Sequence, residues 1–187
     1  MLPLVRQCRR FYLDYFSQPA SDRVLYRALR KRPAHKILEL GIGAGQRTLR
    51  MLEIVAACRP ESQISYAGID LFEARSETDG PGLSLKAAHQ QLRASGAKVR
   101  LVPGDPLSAL ARMANEIGPV DLIVISADQD RDSLARSWFY FPRMLHAATR
   151  VFLEERETTD GPAQLSELSR AQINDRVALT APRRSAA

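Results

Sequence analysis

The sequence predicts an α/β domain: a mostly parallel sheet with helices on both faces. Two observations predict it. Between residues 36 and 155, short apolar runs alternate with stretches of helical periodicity, the pattern of strand–helix–strand crossovers. The runs are near-continuous in apolar residues, as in 120–126, and strands buried on both faces read that way. At 187 residues and 45% hydrophobic, the chain suits one domain with a proper core.

The elements follow in order. Helices are expected over 3–16 and 21–32, the second with Ser21 as N-cap, Val24, Leu25 and Leu29 at helical spacing, and Pro33 as its stop. A strand at 36–40 is followed by a helix over 46–58, marked by Leu49, Leu52, Ile54 and Val55. A strand over 64–70 leads into a polar stretch, 72–82, read as a loop that can act as a mobile flap over a site. A helix over 83–95 closes on Gly96 in the C′ position. Next come a strand at 99–102, a helix at 107–117, a strand at 120–126, a helix at 133–148 kinked or broken at Pro142, and a fifth strand at 150–154. After that only a helical stretch, 163–173, and a weak apolar run, 177–180, are expected. The tail APRRSAA reads as frayed. The organisation is thus a helical arm (1–34), a core (35–155) and a short C-terminal segment (156–187).

Composition narrows the class. No apolar run reaches the roughly 18 residues of a membrane span, and the N-terminus lacks the continuous apolar stretch of a signal peptide. Cys8 and Cys58 are far apart, so a disulfide framework is not expected and a reducing cytoplasm fits best. The net charge of +6 is uneven: residues 1–36 hold nine Lys/Arg against two Asp/Glu, while the remainder holds 18 against 19. A basic arm can draw nucleic acid or an anionic substrate, but a solvated helical face explains it as well. No aromatic–basic alternation of a single-strand binder is present, which argues against a nucleic-acid partner.

The informative stretch is KILELGIGAG, residues 36–45. In an open parallel sheet, ligands sit beyond the carboxyl ends of the strands, and the first strand-to-helix turn is the usual cradle. Gly41, Gly43 and Gly45 fall there, where glycine lets backbone approach a ligand and the next helix offers free N–H groups. The spacing is GxGxG, with Gln46 where a dinucleotide fingerprint has its third glycine. Glu39 stands two residues before the first glycine, beside a place suited to an ammonium group. Asp70 ends the second strand, where a carboxylate can accept from both ribose hydroxyls. Gly104-Asp105 follows the third strand. The set points to a nucleoside carrying an amino-acid moiety.

These stretches, ILELGIGAGQRTLRML, ISYAGID, VRLVPGDPLSAL and VDLIVISADQDRDS, resemble class I S-adenosylmethionine-dependent methyltransferases, and most closely the catechol and caffeoyl-CoA type of O-methyltransferases. The resemblance covers residues 36–155 or so. It implies a Rossmann-like, doubly wound sheet of order 3-2-1-4-5. It also implies that Glu39 holds the methionine amino group through water, that Gly41, Gly43 and Gly45 pass under the methionine part, and that Asp70 binds the ribose. Leu71 or Phe72 would border the adenine, Asp105 would lie near its amino group, and Asp128 would stand near the amino end of the cofactor, with Gly104 and Ser126 counted among the cofactor-binding residues. Asp105 can equally cap the helix beginning at Pro106, and Glu39 can pair with an arginine.

The pattern breaks at the acceptor side. The family type carries a metal-ligating Asp and a Lys at the end of the fourth strand; here these positions hold Ser126 and Gln129, and Glu154-Glu155 stand where an Asp-Asn pair is usual. No metal is expected, no catalytic residue can be assigned, and the family's closing β-hairpin is expected to be missing or reduced to one strand. That would leave a sheet edge for a second subunit to cover, a homodimer. The function expected is metal-independent methyl transfer to a small-molecule acceptor, with a non-catalytic cofactor-binding sensor or subunit, and less so a nucleic-acid methyltransferase, as alternatives. Trp138, Phe139, Tyr140 and Phe141 either line an acceptor pocket or form an apolar helix face. Tyr12, Tyr15 and Phe16 either cap the cofactor mouth or pack. His35, His89 and His146 show no metal-ligand spacing.

Overall fold

A computed structural model describes residues 9, 11–58, 60–76, 80–156 and 161–180. In chain order the elements are a helix α1, described over 11–15; α2 (Arg23–Lys31); β1 (Lys36–Leu40); α3 (Gln46–Cys58); β2 (Ser65–Asp70); α4 (Leu85–Arg93); β3 (Lys98–Pro103); α5 (Pro106–Ile117); β4 (Leu122–Ile125); α6 (Arg131–Ser137); β5 (Arg150–Arg156); β6 (Ala163–Leu168); and α7 (Arg170–Thr180). Single 3-10 turns occupy Ala20–Asp22, Phe72–Ala74 and Trp138–Arg143.

The sheet order is β3-β2-β1-β4-β5-β6. β1 to β5 run parallel, and β6 pairs antiparallel with β5, Leu165 opposite Glu154. The Rossmann-like expectation holds, with one strand added beyond the fifth. Strand alternation divides two cores. Leu38, Leu40, Ile123, Ile125, Val151 and Leu153 face α5, α7 and the 138–143 turn. Ile37, Tyr66, Leu122, Val124 and Phe152 face α2 and α3. Each face buries apolar surface at about 25 cal/mol per Å², and the chain reverses direction around the sheet between β1 and β4, which leaves a crevice at their carboxyl ends.

Four expectations change. The helix over 133–148 ends at Ser137, and Trp138–Arg143 tightens to a 3-10 turn. Pro142 cannot donate to the carbonyl of Trp138, and its ring would collide with it in an α-helix. The stretch 163–173 is not a helix. Leu165 and Leu168, three apart, suggest a helical stripe, yet in β6 they face opposite sides and fill one core each. α7 starts with a capping box: Ser169 Oγ accepts from the Gln172 amide at 3.3 Å, and Gln172 Oε1 accepts from the Ser169 amide at 2.8 Å. Val177–Thr180 is its last turn. Ser21 is no N-cap; it lies in the 3-10 turn, its hydroxyl buried without a partner. The hairpin is reduced to one strand among the described residues: β6 pairs antiparallel with β5 and is itself the outer strand on that side.

The opposite edge is β3. There Lys98, Arg100 and Pro103 are exposed while Val102 is buried. Residues 77–79 of the polar loop, 1–8 of the arm and the tail APRRSAA lie outside the described residues. No described helix is long and apolar enough to cross a membrane.

Candidate functional site

The glycine turn closes between β1 and α3. Gly41 donates to the Ile69 carbonyl (2.8 Å) and Gly45 to the Ile42 carbonyl (3.0 Å). Gly41 has φ +89°, and a Cβ built there would sit 2.4 Å from Gln129 Nε2, 2.7 Å from Ser126 Cβ and 2.9 Å from Asp128 Oδ1. Only glycine serves both the turn and that approach. β2 brings Asp70 alongside. Its Oδ2 accepts from the amides of Ile42 (2.7 Å) and Gly43 (2.9 Å), and its Oδ1 from the amide of Phe72 (3.1 Å). Phe72 takes φ 49° to do so, an uncommon setting for an aromatic residue.

Arg75 completes the arrangement. Its Nε lies 2.8 Å from Asp70 Oδ1 and its Nη2 2.8 Å from Asp70 Oδ2. Its Nη1 and Nη2 lie 3.3 Å from Asp128 Oδ2. Burial alone would raise the Asp70 carboxyl; the Arg75 guanidinium and the Gly43 and Phe72 amides outweigh it and hold the group below the usual carboxylate range. Leu83 rests on the turn, its N–H donating to the Gly43 carbonyl at 3.1 Å.

Glu39 lies elsewhere. Strand alternation turns it under α3, fully buried, where Thr48 Oγ1 and Tyr66 Oη each donate to Oε2 at 2.7 Å. Burial pushes its carboxyl up to about 7, against the pull of those bonds and of Arg47. Its Oε1 has no partner. So the expected place beside a ligand's ammonium gives way to a buried network with Tyr66 and Thr48. Of Leu71 and Phe72, Phe72 is 4% exposed and packed with Ile42 and Ala88, while Leu71 faces the cavity.

Leu71, Asp105, Asp128 and Gln129, with Arg75, line a cavity of about 320 Å³ at the ends of β2 and β3. Asp105 caps α5 by accepting from the amides of Leu107 (3.0 Å) and Ser108 (3.2 Å). Burial opposes ionisation, but the Ser108 and Ser133 hydroxyls bring its carboxyl down to about 2. It is therefore both a cap and a wall of this cavity. Gly104, at φ +133°, faces Ser108 and Arg112 rather than the cavity.

Beyond Gln129 a larger cleft of about 930 Å³ opens at the ends of β4, β5 and β6, between Ser126, Trp138, Leu153, Glu154 and Arg176. Trp138 serves the cleft and the core together, stacked on Phe141 at 4.0 Å. Glu154 is 7% exposed; Arg47 Nη2 donates to its Oε1 (2.6 Å), and Ser126 Oγ (3.2 Å) and the Ala127 amide (3.1 Å) donate to its Oε2. The same Arg47 donates through Nε to Asp22 (2.7 Å). Glu155 pairs with Arg176 on the surface. Among the described residues no group of three or more His, Cys, Asp or Glu is disposed to hold a metal ion. Tyr12, Tyr15 and Phe16 line neither cleft; each is about half exposed, and Tyr15 and Phe16 pack against the Phe11 ring at centroid distances of 4.8 and 5.9 Å.

The sequence readings thus meet at Gly41, Gly43, Asp70, Leu71, Asp105, Ser126 and Asp128, and miss Arg75 and Arg47. Nothing in FEARSETDG says that its arginine folds back five residues to Asp70.

The site's residue types fit an adenosine joined to an amino acid: a bare turn, a carboxylate for a diol, and a cavity for a base. Gln129 stands close over Gly41 and Arg75 over Asp70, while the Pro81 carbonyl lies at ordinary contact distance, 3.8 Å, from a Cβ built on Gly43.

No family model and no curated protein matches the sequence. Solved structures do match. One is a TehB-like SAM-dependent methyltransferase from Corynebacterium glutamicum, at TM-score 0.54 and 17% identity, covering 95% of this chain and 81% of that one. Another is an O-methyltransferase from Bacillus cereus in complex with SAH, at 0.53 and 17%, covering 82% and 64%. A third is the O-methyltransferase TomG from Streptomyces achromogenes, bound to SAM, at 0.52 and 17%, covering 74% and 56%. The chain spans less than two thirds of the length of the last two. With its parallel strands, glycine turn and Asp70 at the end of β2, the chain has the Rossmann-like fold of these SAM-dependent methyltransferases.

Proposed function

We propose that the chain binds S-adenosylmethionine across the glycine turn and directs methyl transfer to a small-molecule acceptor in the larger cleft, without a metal ion. The observation that carries this is Asp70: a carboxylate at the end of β2, held against the Ile42 and Gly43 amides at 2.7 and 2.9 Å, its remaining side taken by the Arg75 guanidinium in the seat that ribose hydroxyls would use. When bound, the cofactor would supply a methyl group on a positively charged sulfur. The chain's own part is placement. Asp70 takes the ribose, Leu71 and Asp105 border the base, and Asp128 faces the amino end. The cleft beside Ser126 and Trp138 holds the acceptor, and positioning of this kind can supply much of such a barrier. Metal independence is supported by Glu154, whose two oxygens are taken by Arg47, Ser126 and the Ala127 amide.

Titration calorimetry with S-adenosylhomocysteine tests the reading. Binding is expected, and Asp70→Ala should abolish it. Affinity unchanged in Asp70→Ala would remove the ribose role. Transfer of labelled methyl to an acceptor library should then proceed equally with and without a chelator.

Ser126 and Gln129, at the end of β4 where the resembling type carries a metal-ligating Asp and a Lys, favour a second reading, a non-catalytic sensor or subunit that binds the same nucleoside. Binding without transfer to any acceptor would select it.

A further inference from the structure

Asp70 receives five hydrogen-bond donors: the amides of Ile42, Gly43 and Phe72, and two nitrogens of Arg75. A carboxylate offers about four lone-pair sites, so none is left for a diol. The Ile42 and Gly43 amides belong to the glycine turn and the Phe72 amide to the backbone just after β2, so none of the three can leave without refolding that backbone. Only Arg75 is exchangeable. Its guanidinium presents two parallel N–H donors to the two oxygens, the same demand that a pair of ribose hydroxyls makes.

We propose that Arg75 is a built-in competitor for the nucleoside site, so that a nucleoside binds Asp70 only as Arg75 leaves it. This rests on the nucleoside reading above.

Two further observations support the exchange. First, the arginine has somewhere to go. Asp128 already lies 3.3 Å from both Nη atoms, and its side chain is 23% exposed against 2% for Asp70. A guanidinium released from Asp70 keeps a carboxylate partner, so no buried charge is stranded. Second, its seat depends on a missing side chain. A Cβ built on Gly82 would lie 2.4 Å from Arg75 Cδ and 2.5 Å from Nε. Gly82 is not among the glycines with positive φ, so alanine suits its backbone and would act by pushing the arginine off its seat. The apparent affinity for a nucleoside is then lowered by the fraction of molecules in which Arg75 is displaced.

The test uses the full chain, titrated with S-adenosylhomocysteine in the calorimeter, as wild type, Arg75→Ala and Gly82→Ala, each checked for folding by circular dichroism. Both variants should bind at least about tenfold more tightly than wild type. Equal or weaker binding by folded Arg75→Ala overturns the proposal, because an arginine that assists the ligand or ignores it gives that result. Should Arg75→Ala not fold, Gly82→Ala decides alone on the same criterion. Heat with wild type but no tightening in the variants defeats the competitor and spares the nucleoside reading. Heat with none of the three defeats the reading itself and the competitor with it. Heat with the variants only sustains both.

Discussion

Two arginines in this chain make nearly the same bonds and are anchored in opposite ways. Arg47 rises from the first turn of α3 and ties Asp22, next to α2, to Glu154 at the end of β5. Its side chain is 13% exposed, and its two partners are 1% and 7% exposed. Arg75 rises from an irregular stretch and joins Asp70 to the more open Asp128. Remove Arg47, and Asp22 keeps, among the described residues, the Tyr26 hydroxyl at 3.1 Å; burial already pushes that carboxyl up despite the arginine. Remove Arg75, and Asp70 keeps three backbone amides. The lesson is that the worth of an ion pair lies in what the deserted partner retains. By that measure Arg47 is a fastening and Arg75 an occupant.

The largest expected effect follows directly. Arg47→Ala should cost about 3–5 kcal/mol in urea unfolding, the cost of stranding buried charge. A loss below about 1 kcal/mol, the range of exposed pairs, would erase the contrast.

Glu39 gives the next. Its carboxyl is raised from 4.5 to about 7 in the fold, so between those values the native chain holds a proton that the unfolded chain has released. Stability should therefore fall as pH rises from about 5 to about 7 and level off above it. Glu39→Gln cannot ionise. It should remove that slope and stabilise the chain at pH 8 by about 1–3 kcal/mol, with little change at pH 5. An unaltered slope in Glu39→Gln would place the titration elsewhere.

Arg75→Ala should cost about 1 kcal/mol, since its partner remains hydrogen-bonded. A cost matching that of Arg47→Ala would make Arg75 a fastening too. Last, Ser169→Ala should lose about 1 kcal/mol through the N-cap of α7, measurable as a small drop in the urea midpoint without change at either arginine.

Much of the fold was legible because local signals agreed with tertiary demand. The apolar runs placed all five parallel strands within two residues, and Gly96 has the expected positive φ (+79°), though α4 ends at Arg93 with Ala94 as C-cap, so the glycine stands one position beyond C′. β6 was not legible, since Leu165 and Leu168 satisfy a helical stripe as well as two faces of a strand; Ser169 and Gln172, the capping pair that would have moved the helix start, went unread. At the site, the glycines and Asp70 declared themselves by spacing. The alternation that buries Leu38 and Leu40 on one face already implied that Glu39 turns to the other, away from the crevice. Arg75 was hidden for a plainer reason: a side chain folding back onto its own turn leaves no period and no spacing.

One feature of the outermost strand bears on handling the protein. β3 ends the sheet with its backbone bonding groups open on one side, yet Lys98, Arg100 and Pro103 are the residues it exposes. A neighbouring molecule offering its own edge would meet the Lys98 charge, the Arg100–Glu116 pair and a residue with no N–H to give. Concentrated solutions should consequently resist fibril-like stacking along this border, and neutralising Lys98 and Arg100 should bring turbidity on.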